Sequence, residues 1–434
     1  MKIKCQGLKH ISEPITEPKS FLKYMLPGEE ADLLLPKKYV EESDLNIKSP
    51  DRQKIICPIF YECGGCDLLH VKYEAQLKLK EQHLAKLFGS LYNRGSFQVD
   101  ANPSPLHYRH KVVLSATTHK NKLKLGLYRE KTKEVIPFLK CFLHDEKTNL
   151  VLATLEELFN KYKIPAYDID KGTGILKHVL IRKSYANSNM MVVFVTQGNL
   201  LPNGKKIIQD VREKHPEVTT FVQNIHNKKT SLVLLEDEKI LFGPGYIYDE
   251  IGNLKFRLSS RSFYQVNPQQ MINLYQKALN MLDIKKTDLI LDTYSGIGTI
   301  SLIASKYAKE VIAIETNPKA HQDALNNRKE NMIENVRFVN DDVERFITTF
   351  QGSVDGLIMD PTREGATEKF LNAILKLKPK KIVYISCEPM TQVRDIKLLS
   401  KLYDIKKVNG VDMFSQTVHV ESIILMTYCG LDKK

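Results

Sequence analysis

Asp288-Leu289-Ile290-Leu291-Asp292-Thr293-Tyr294-Ser295-Gly296-Ile297-Gly298-Thr299 is the stretch whose reading decides the fold. Asp288 to Asp292 reads as a short buried strand ending in an acid. The glycine-rich turn after it opens onto a helix, so strand and turn together present a ligand site at the carboxyl edge of an open α/β sheet. A dinucleotide fingerprint would require Gly-x-Gly-x-x-Gly. Ser301 stands at the third position, which disfavours NAD and FAD. A Gly-x-Gly alone is weak, so its neighbours must decide.

Downstream, from about residue 256, strand and helix alternate, the sign of a parallel sheet. Val311-Ile-Ala-Ile-Glu315 is a second strand ending in an acid, placed to bond ribose hydroxyls. Val336 to Asp342 is a third, Asp355 to Asp360-Pro361 a fourth and Lys381 to Ser386 a fifth. Gly-x-Gly, an acid at the next strand end, Asp342 and Asp360-Pro361 together resemble class I AdoMet-dependent methyltransferases. Amino methyltransferases carry an aromatic after Asp/Asn-Pro-Pro. Asp360-Pro361-Thr362-Arg363 has none, so an exocyclic amine acceptor is disfavoured.

The fifth strand runs into Cys387-Glu388-Pro389. A free cysteine at a strand end is ordinarily a small buried hydrophobe. Beside a methyl donor it has another use. Carbon 5 of a pyrimidine is a poor nucleophile, and thiolate attack on carbon 6 turns the ring into an enolate that can take a methyl group at carbon 5. A base must then remove the carbon 5 proton. Asp412 to Glu421 enters a final strand; Glu421 is the first candidate for the base and His419 the second.

Upstream the signals differ. The chain has 434 residues, 42% hydrophobic, enough for two or three domains with a sizeable core. No apolar run reaches 18 residues, so no membrane span is expected. The opening Met-Lys-Ile-Lys-Cys-Gln-Gly lacks an apolar signal core, and a cytoplasmic location is expected. Lys and Arg total 64 against 51 Asp and Glu, a net charge of +13 that favours a polyanionic partner, nucleic acid first. Residues 1–50 read as a short β module, with strands at Phe21–Glu30 and Ala31–Leu35 around a Pro-Gly turn. Pro14, Pro18, Pro27 and Pro36 exclude a long helix there.

Seven cysteines in a reduced chain argue against disulfides. Cys57, Cys63 and Cys66 fall within ten residues, and Cys141 is the nearest fourth thiol. Four thiolates suit zinc or an iron–sulfur cluster, and the C-x5-C spacing tilts the choice to iron–sulfur. Leu68 to Phe88 reads as one amphipathic helix. Between Leu106 and Lys140 nine cations face two anions, with Tyr108, Tyr128 and Phe138 among them. That mixture suits an RNA backbone and unstacked bases. Residues 150–255 alternate helix and strand, with buried strands expected at Met190–Val195 and Ser231–Leu235.

Taken together the chain closely resembles the RNA uracil-5 methyltransferase family over nearly its whole length. The residues that carry the resemblance are Cys57-x5-Cys63-Gly-Gly-Cys66 with Cys141, Ser262-Phe-Tyr-Gln-Val-Asn267, Asp292 to Gly298, Asp360-Pro-Thr-Arg363, Ser386-Cys387-Glu-Pro389-x-Thr391 and Gln416-Thr-x-His-Val-Glu421. The resemblance implies Cys387 as nucleophile and Glu421 as base. It implies Gln265, Tyr294, Glu315 and Asp360, with Asp342, around AdoMet or the target uracil. Cys57, Cys63, Cys66 and Cys141 would ligate a [4Fe-4S] cluster. The implied architecture is a TRAM-like module at 1–50, a central α+β domain at 51–255 with the cysteines and the basic segment, and a Rossmann-like catalytic domain at 256–434. Thr362, Glu388 and Ser415 depart from the usual residues without removing a group the chemistry needs. Members acting on tRNA generally lack the cysteines and those acting on large-subunit rRNA carry them. A monomer acting on 23S rRNA is expected, with neither DNA nor membrane as partner; Phe263 is a candidate stacking partner for the flipped base.

Overall fold

The computed structural model describes residues 2–33, 37–93, 95–230 and 232–430. β1 (Lys2–Leu8), β2 (Pro14–Glu17), β3 (Glu30–Asp32) and β4 (Leu45–Ile47) form an antiparallel sheet in the order β2-β1-β3-β4. β1 follows from its alternation, Lys2 and Lys4 outward, Ile3 and Cys5 buried. The strand expected over Phe21–Glu30 does not form. Glu29 turns its side chain inward instead, its carboxylate gripped by the buried Arg52 (2.5 Å) and accepting the Leu26 N–H (2.8 Å), which closes the Pro27-Gly28 turn just before β3. Leu34 and Leu35 of the second expected strand lie outside the described residues.

α1 (Tyr73–Phe88) begins five residues later than Leu68, because Leu68 to Val71 are buried in turns. β5 (Val99–Asp100) follows. The next unit is a seven-stranded sheet. In chain order it comprises β6 (Lys111–His119), β7 (Lys122–Tyr128), β8 (Val135–Pro137), α2 (Glu146–Lys161), β9 (Leu176–Lys183), β10 (Met190–Thr196), α3 (Gly204–Lys214), β11 (Val218–Ile225) and β12 (Glu238–Phe242). The strand order is β12-β11-β10-β9-β6-β7-β8. α2 and α3 cover one face through Leu155, Phe159, Ile207 and Val211; Leu180, Met191 and Val193 on the other face join the core of the last unit. Met190–Val195 is fully buried as its unbroken apolar run requires. Residues 232–235, by contrast, are no strand, and Leu232 is 62% exposed. Their backbone is held by side chains rather than a ladder: Asn224 pairs with both Leu235 backbone groups, and His226 meets the Leu232 carbonyl.

β13 (Tyr246–Ile251) and β14 (Leu254–Ser259) make a hairpin leading to α4 (Pro268–Leu282). Then come β15 (Leu289–Thr293), α5 (Thr299–Ala304), β16 (Glu310–Ile314), α6 (Pro318–Glu330), β17 (Val336–Val339), α7 (Val343–Thr349), β18 (Gly356–Met359), α8 (Glu368–Leu377), β19 (Lys381–Ser386), α9 (Pro389–Leu399), β20 (Tyr403–Val411) and β21 (Glu421–Tyr428). They form one sheet in the order β17-β16-β15-β18-β19-β21-β20-β5. β15 to β19 are parallel, and β21 runs antiparallel between β19 and β20. The order reverses between β15 and β18, where such sheets open a ligand crevice at their carboxyl ends. β5, from far upstream, pairs with β20 at the other edge. No helix among the described residues is long and apolar enough to cross a membrane.

Candidate active site

The crevice is shaped first by the turn after β15. Gly298 has φ +82°, and a Cβ there would lie 2.5 Å from Cζ of Phe338, so only glycine fits. Glu315 at the end of β16 faces this turn, accepting the N–H groups of Gly296 (2.9 Å) and Asn317 (2.7 Å). Asp292 is buried beneath it and accepts the Ser301 hydroxyl, which explains why the third dinucleotide glycine is a serine here. Burial, with Glu315 adding, pushes the Asp292 carboxyl up to about 7. Tyr294 packs edge-on against Phe370 at 5.6 Å. Asp342 is exposed and caps α7, accepting N–H groups of Glu344 and Arg345 at 3.0 Å.

Cys387 and Glu421 meet through strand register. Ser386 pairs with Ser422 and Ile385 with Ile423, so the next step sets Cys387 opposite Glu421 at the carboxyl end of β19. Pro389 starts α9 at once, and the Ser386 hydroxyl accepts the Glu388 N–H (3.1 Å), so the chain turns away at the cysteine. Glu421 is 2% exposed. Burial first, then Asp360, drives its carboxyl well above the ordinary range, and Arg363 opposes. Asp360 rises to about 7 through burial, with Asp292 adding. Burial and then Glu421 lift the Cys387 thiol to about 11, while Arg363 draws it back by charge and hydrogen bond. Tyr275 of α4 lies beside Asp360, Asp292 and Glu421 and hydrogen-bonds Gln265. His419 stands 3.4 Å from the Arg363 guanidinium, and burial with that cation keeps its imidazole neutral.

The register thus joins Cys387 and Glu421, and the charge couplings add Asp360; Gln265 reaches them through Tyr275. Tyr294, Glu315 and Asp342 stand at neighbouring strand ends. Arg363, Tyr275 and Asp292 gained no role from the sequence. Arg363 was legible as the end of Asp-Pro-Thr-Arg and Asp292 as the acid at the end of its strand; Tyr275 looks like core.

The loop before Glu421 is braced from upstream. Lys80 of α1 forms a fully buried ion pair with Asp412, which also accepts the Tyr73 (2.7 Å) and Ser415 (2.6 Å) hydroxyls. Ser415, an unusual residue in its motif, is used here, since it also accepts from Asn102 (2.9 Å). The N–H groups of Asp67 (2.9 Å) and Leu68 (3.0 Å) both bond the Gln416 carbonyl, and Asp67 accepts the Val418 N–H (3.2 Å). The loop after Cys66 is therefore tied directly to the loop before Glu421.

Cys57, Cys63, Cys66 and Cys141 line one small cavity with Phe60, Leu127 and Arg109. Backbone N–H groups point at three of the sulfurs: Ile59 at Cys57, Gly65 at Cys63 (3.3 Å), and Leu143 with His144 at Cys141. Burial raises all four thiols, Cys63 to about 11. The donor set and its N–H···S bonds fit the chemistry of a thiolate-bound metal group. No three His, Cys, Asp or Glu among the described residues stand in a metal-holding arrangement, so the cavity is shared without a closed cage.

The basic segment is less free than its composition suggests. Arg109 is buried at the cysteine cavity, Lys124 pairs with Glu156 (2.5 Å), and Arg129 pairs with Glu62 and Glu134 (both 2.7 Å). Lys120, Lys122 and Lys133 remain exposed on the β6–β8 side.

The sheet order, the glycine turn and the acid-tipped strands define a class I methyltransferase fold. The solved structure of Pyrococcus abyssi tRNA (uracil-54, C5)-methyltransferase in complex with S-adenosyl-L-homocysteine superposes with a TM-score of 0.80 at 24% identity, covering 98% of this chain and 99% of that one. The model of the tRNA (uracil-5-)-methyltransferase family matches residues 72–428, and the chain belongs to that family. Uncharacterized RNA methyltransferases of Bacillus cereus and Clostridium tetani are each 36% identical, over 419 and 428 residues. They cover 94% and 95% of this chain, which spans 91% and 92% of them. The chain is an RNA methyltransferase.

Proposed function

We propose that the protein methylates carbon 5 of a uridine in RNA from AdoMet through a covalent adduct on Cys387. The observation behind this is the β19–β21 register, which sets a thiol and a buried carboxylate side by side next to the crevice. AdoMet supplies an electrophilic methyl group. Its site fits: Glu315 faces the turn for ribose hydroxyls, Gly296 borders open space, and the crowded Asp292, Asp360 and Glu421 would be relieved by a sulfonium cation. Gln265, Tyr294 and Asp342 complete the proposed ligand shell.

Cys387 sulfur adds to carbon 6, and the ring π electrons move to oxygen 4 as an enolate. Arg363 is the cation that favours the thiolate. Carbon 5 would then take the methyl group as its bond to the donor sulfur breaks, with S-adenosylhomocysteine as the leaving group. Glu421, whose raised pKa makes it a stronger base, removes the carbon 5 proton. Those electrons restore the ring double bond and expel the thiolate. Cys387→Ala should abolish both turnover and trapping by 5-fluorouridine RNA. Glu421→Gln should accumulate adduct; product release at the wild-type rate would exclude Glu421 as base.

The substrate is 23S rRNA, a reading supported by the four thiols around one cavity and their likeness to the rRNA-acting members. These cysteines would hold a [4Fe-4S] cluster. Anaerobically purified protein should be brown, with iron and sulfide at about four each per chain; stoichiometric zinc without broad visible absorption would overturn this. Uridine in tRNA is the second reading, favoured by the P. abyssi neighbour, whose substrate is tRNA. Mapping 5-methyluridine in rRNA and tRNA of a knockout strain separates the two.

A further inference from the structure

Arg182 and Lys111 are neighbours across the β6–β9 ladder, on the face turned toward the catalytic sheet. Arg182 is 1% exposed, yet its Nε and Nη1 have no hydrogen-bond partner; only Nη2 is used, donating to the Ser262 carbonyl (2.5 Å). The Lys111 ammonium makes no hydrogen bond or ion pair among the described residues, and the side chain stays partly open to solvent. The adjoining cations are accounted for otherwise, Lys183 by Asp145 (2.6 Å) and Arg109 by the cysteine cavity. Tyr264, Asp323 and Asp249 favour the charge on Arg182 without bonding it; one Asp249 oxygen is taken by Ser184 and the N–H groups of Tyr185 and Ala186, and the other is buried without a partner. Two adjacent cations sunk in protein without a contacting anion are a costly arrangement unless a ligand supplies the anion. Lys111 shows the cost: burial, with Arg182 adding, depresses its ammonium to about 7.

The pair is tied to the segment that carries Phe263 and Gln265. Arg182 holds the Ser262 carbonyl at one end of Ser262–Val266, and His110, next to Lys111, donates its N–H to the Val266 carbonyl (2.8 Å) at the other. Between these anchors the segment presents Phe263, 65% exposed, and sends Gln265 to Tyr275 in the active site. We propose that Lys111, backed by Arg182, receives a backbone phosphate of the RNA next to the nucleotide that Phe263 and Gln265 meet. This deepens the uridine-methylation reading and rests on it. It gives the segment two kinds of contact, an aromatic face for a base and a charge for the adjoining phosphate.

The test uses Lys111→Met in the full chain, with a labelled single-stranded RNA containing uridine as probe. The variant should bind roughly tenfold more weakly, with the slope of log affinity against log salt reduced by roughly 0.7, the single-strand increment for one phosphate. Lys111→Arg should restore both. AdoMet binding by calorimetry should be unchanged, and the melting temperature should rise, because a buried unpaired charge is gone. Unaltered affinity and slope with a lower melting temperature would make Lys111 a structural cation and overturn the proposal. So would failure of both Lys111→Met and Lys111→Gln to fold. A wild-type protein that binds no RNA would overturn the parent reading, and this proposal with it.

Discussion

Asp360 concentrates the electrostatics of the crevice. It is crowded by Asp292 and itself raises Glu421. With its carboxyl pushed up to about 7, folding takes up a proton at intermediate pH. This group's contribution to stability is full below the unfolded pKa, about 3.9, and is lost as pH rises through 7. Asp360→Asn removes that loss. The variant should match the wild type near pH 4 and gain on it up to about pH 7, reaching on the order of 4 kcal/mol above that. Urea melts at pH 5 and pH 8 measure this; a difference that does not grow with pH would show that Asp360 is freely solvated when folded.

α1 shows what one element does for a distant loop. Through Lys80, Gln76 and Tyr73 it fixes the loop that delivers Glu421. Lys80→Met leaves Asp412 charged and buried, and should cost about 3–5 kcal/mol in a denaturant melt. A loss below about 1 kcal/mol would mean that water reaches Asp412. The element scale also shows what the sequence could tell. Strands β15 to β19 were legible because each is short and mostly apolar, and each ends in or leads into an acid or a cysteine at the sheet edge. Cys387 and Glu421 were legible as residue types in motifs, but their adjacency is a matter of register between strands 34 residues apart. Residues 232–235 looked like a strand because apolar content was read without asking where the backbone groups pair. β1 was missed although Lys-Ile-Lys-Cys alternates cleanly. The Asp67–Gln416 tie was invisible, being built from backbone groups that any residue offers.

At the scale of the molecule, the catalytic sheet is not confined to the last third of the chain. Val99–Asp100 caps β20, and Leu84 and Phe88 of α1 share a core with Tyr403, Ile405 and Val408. A fragment spanning residues 256–434 would bare an edge strand and the apolar surface beside it. It should sediment as aggregates; a monomeric fragment with a cooperative melt would show that β5 and α1 are dispensable.

The same pairing has a consequence for how the chain folds during synthesis. The Gln76–Gln416 side-chain bond spans 340 positions, and Gly410 must find Val99 across a comparable distance. Contacts so remote in sequence close late and slowly. α1 and β5 leave the ribosome early but have no partner until almost the whole chain has emerged. The seven-stranded unit, complete by Phe242, can form meanwhile. The crevice that would carry out the chemistry is thus among the last parts of the molecule to exist, assembled when the two ends of the sequence meet.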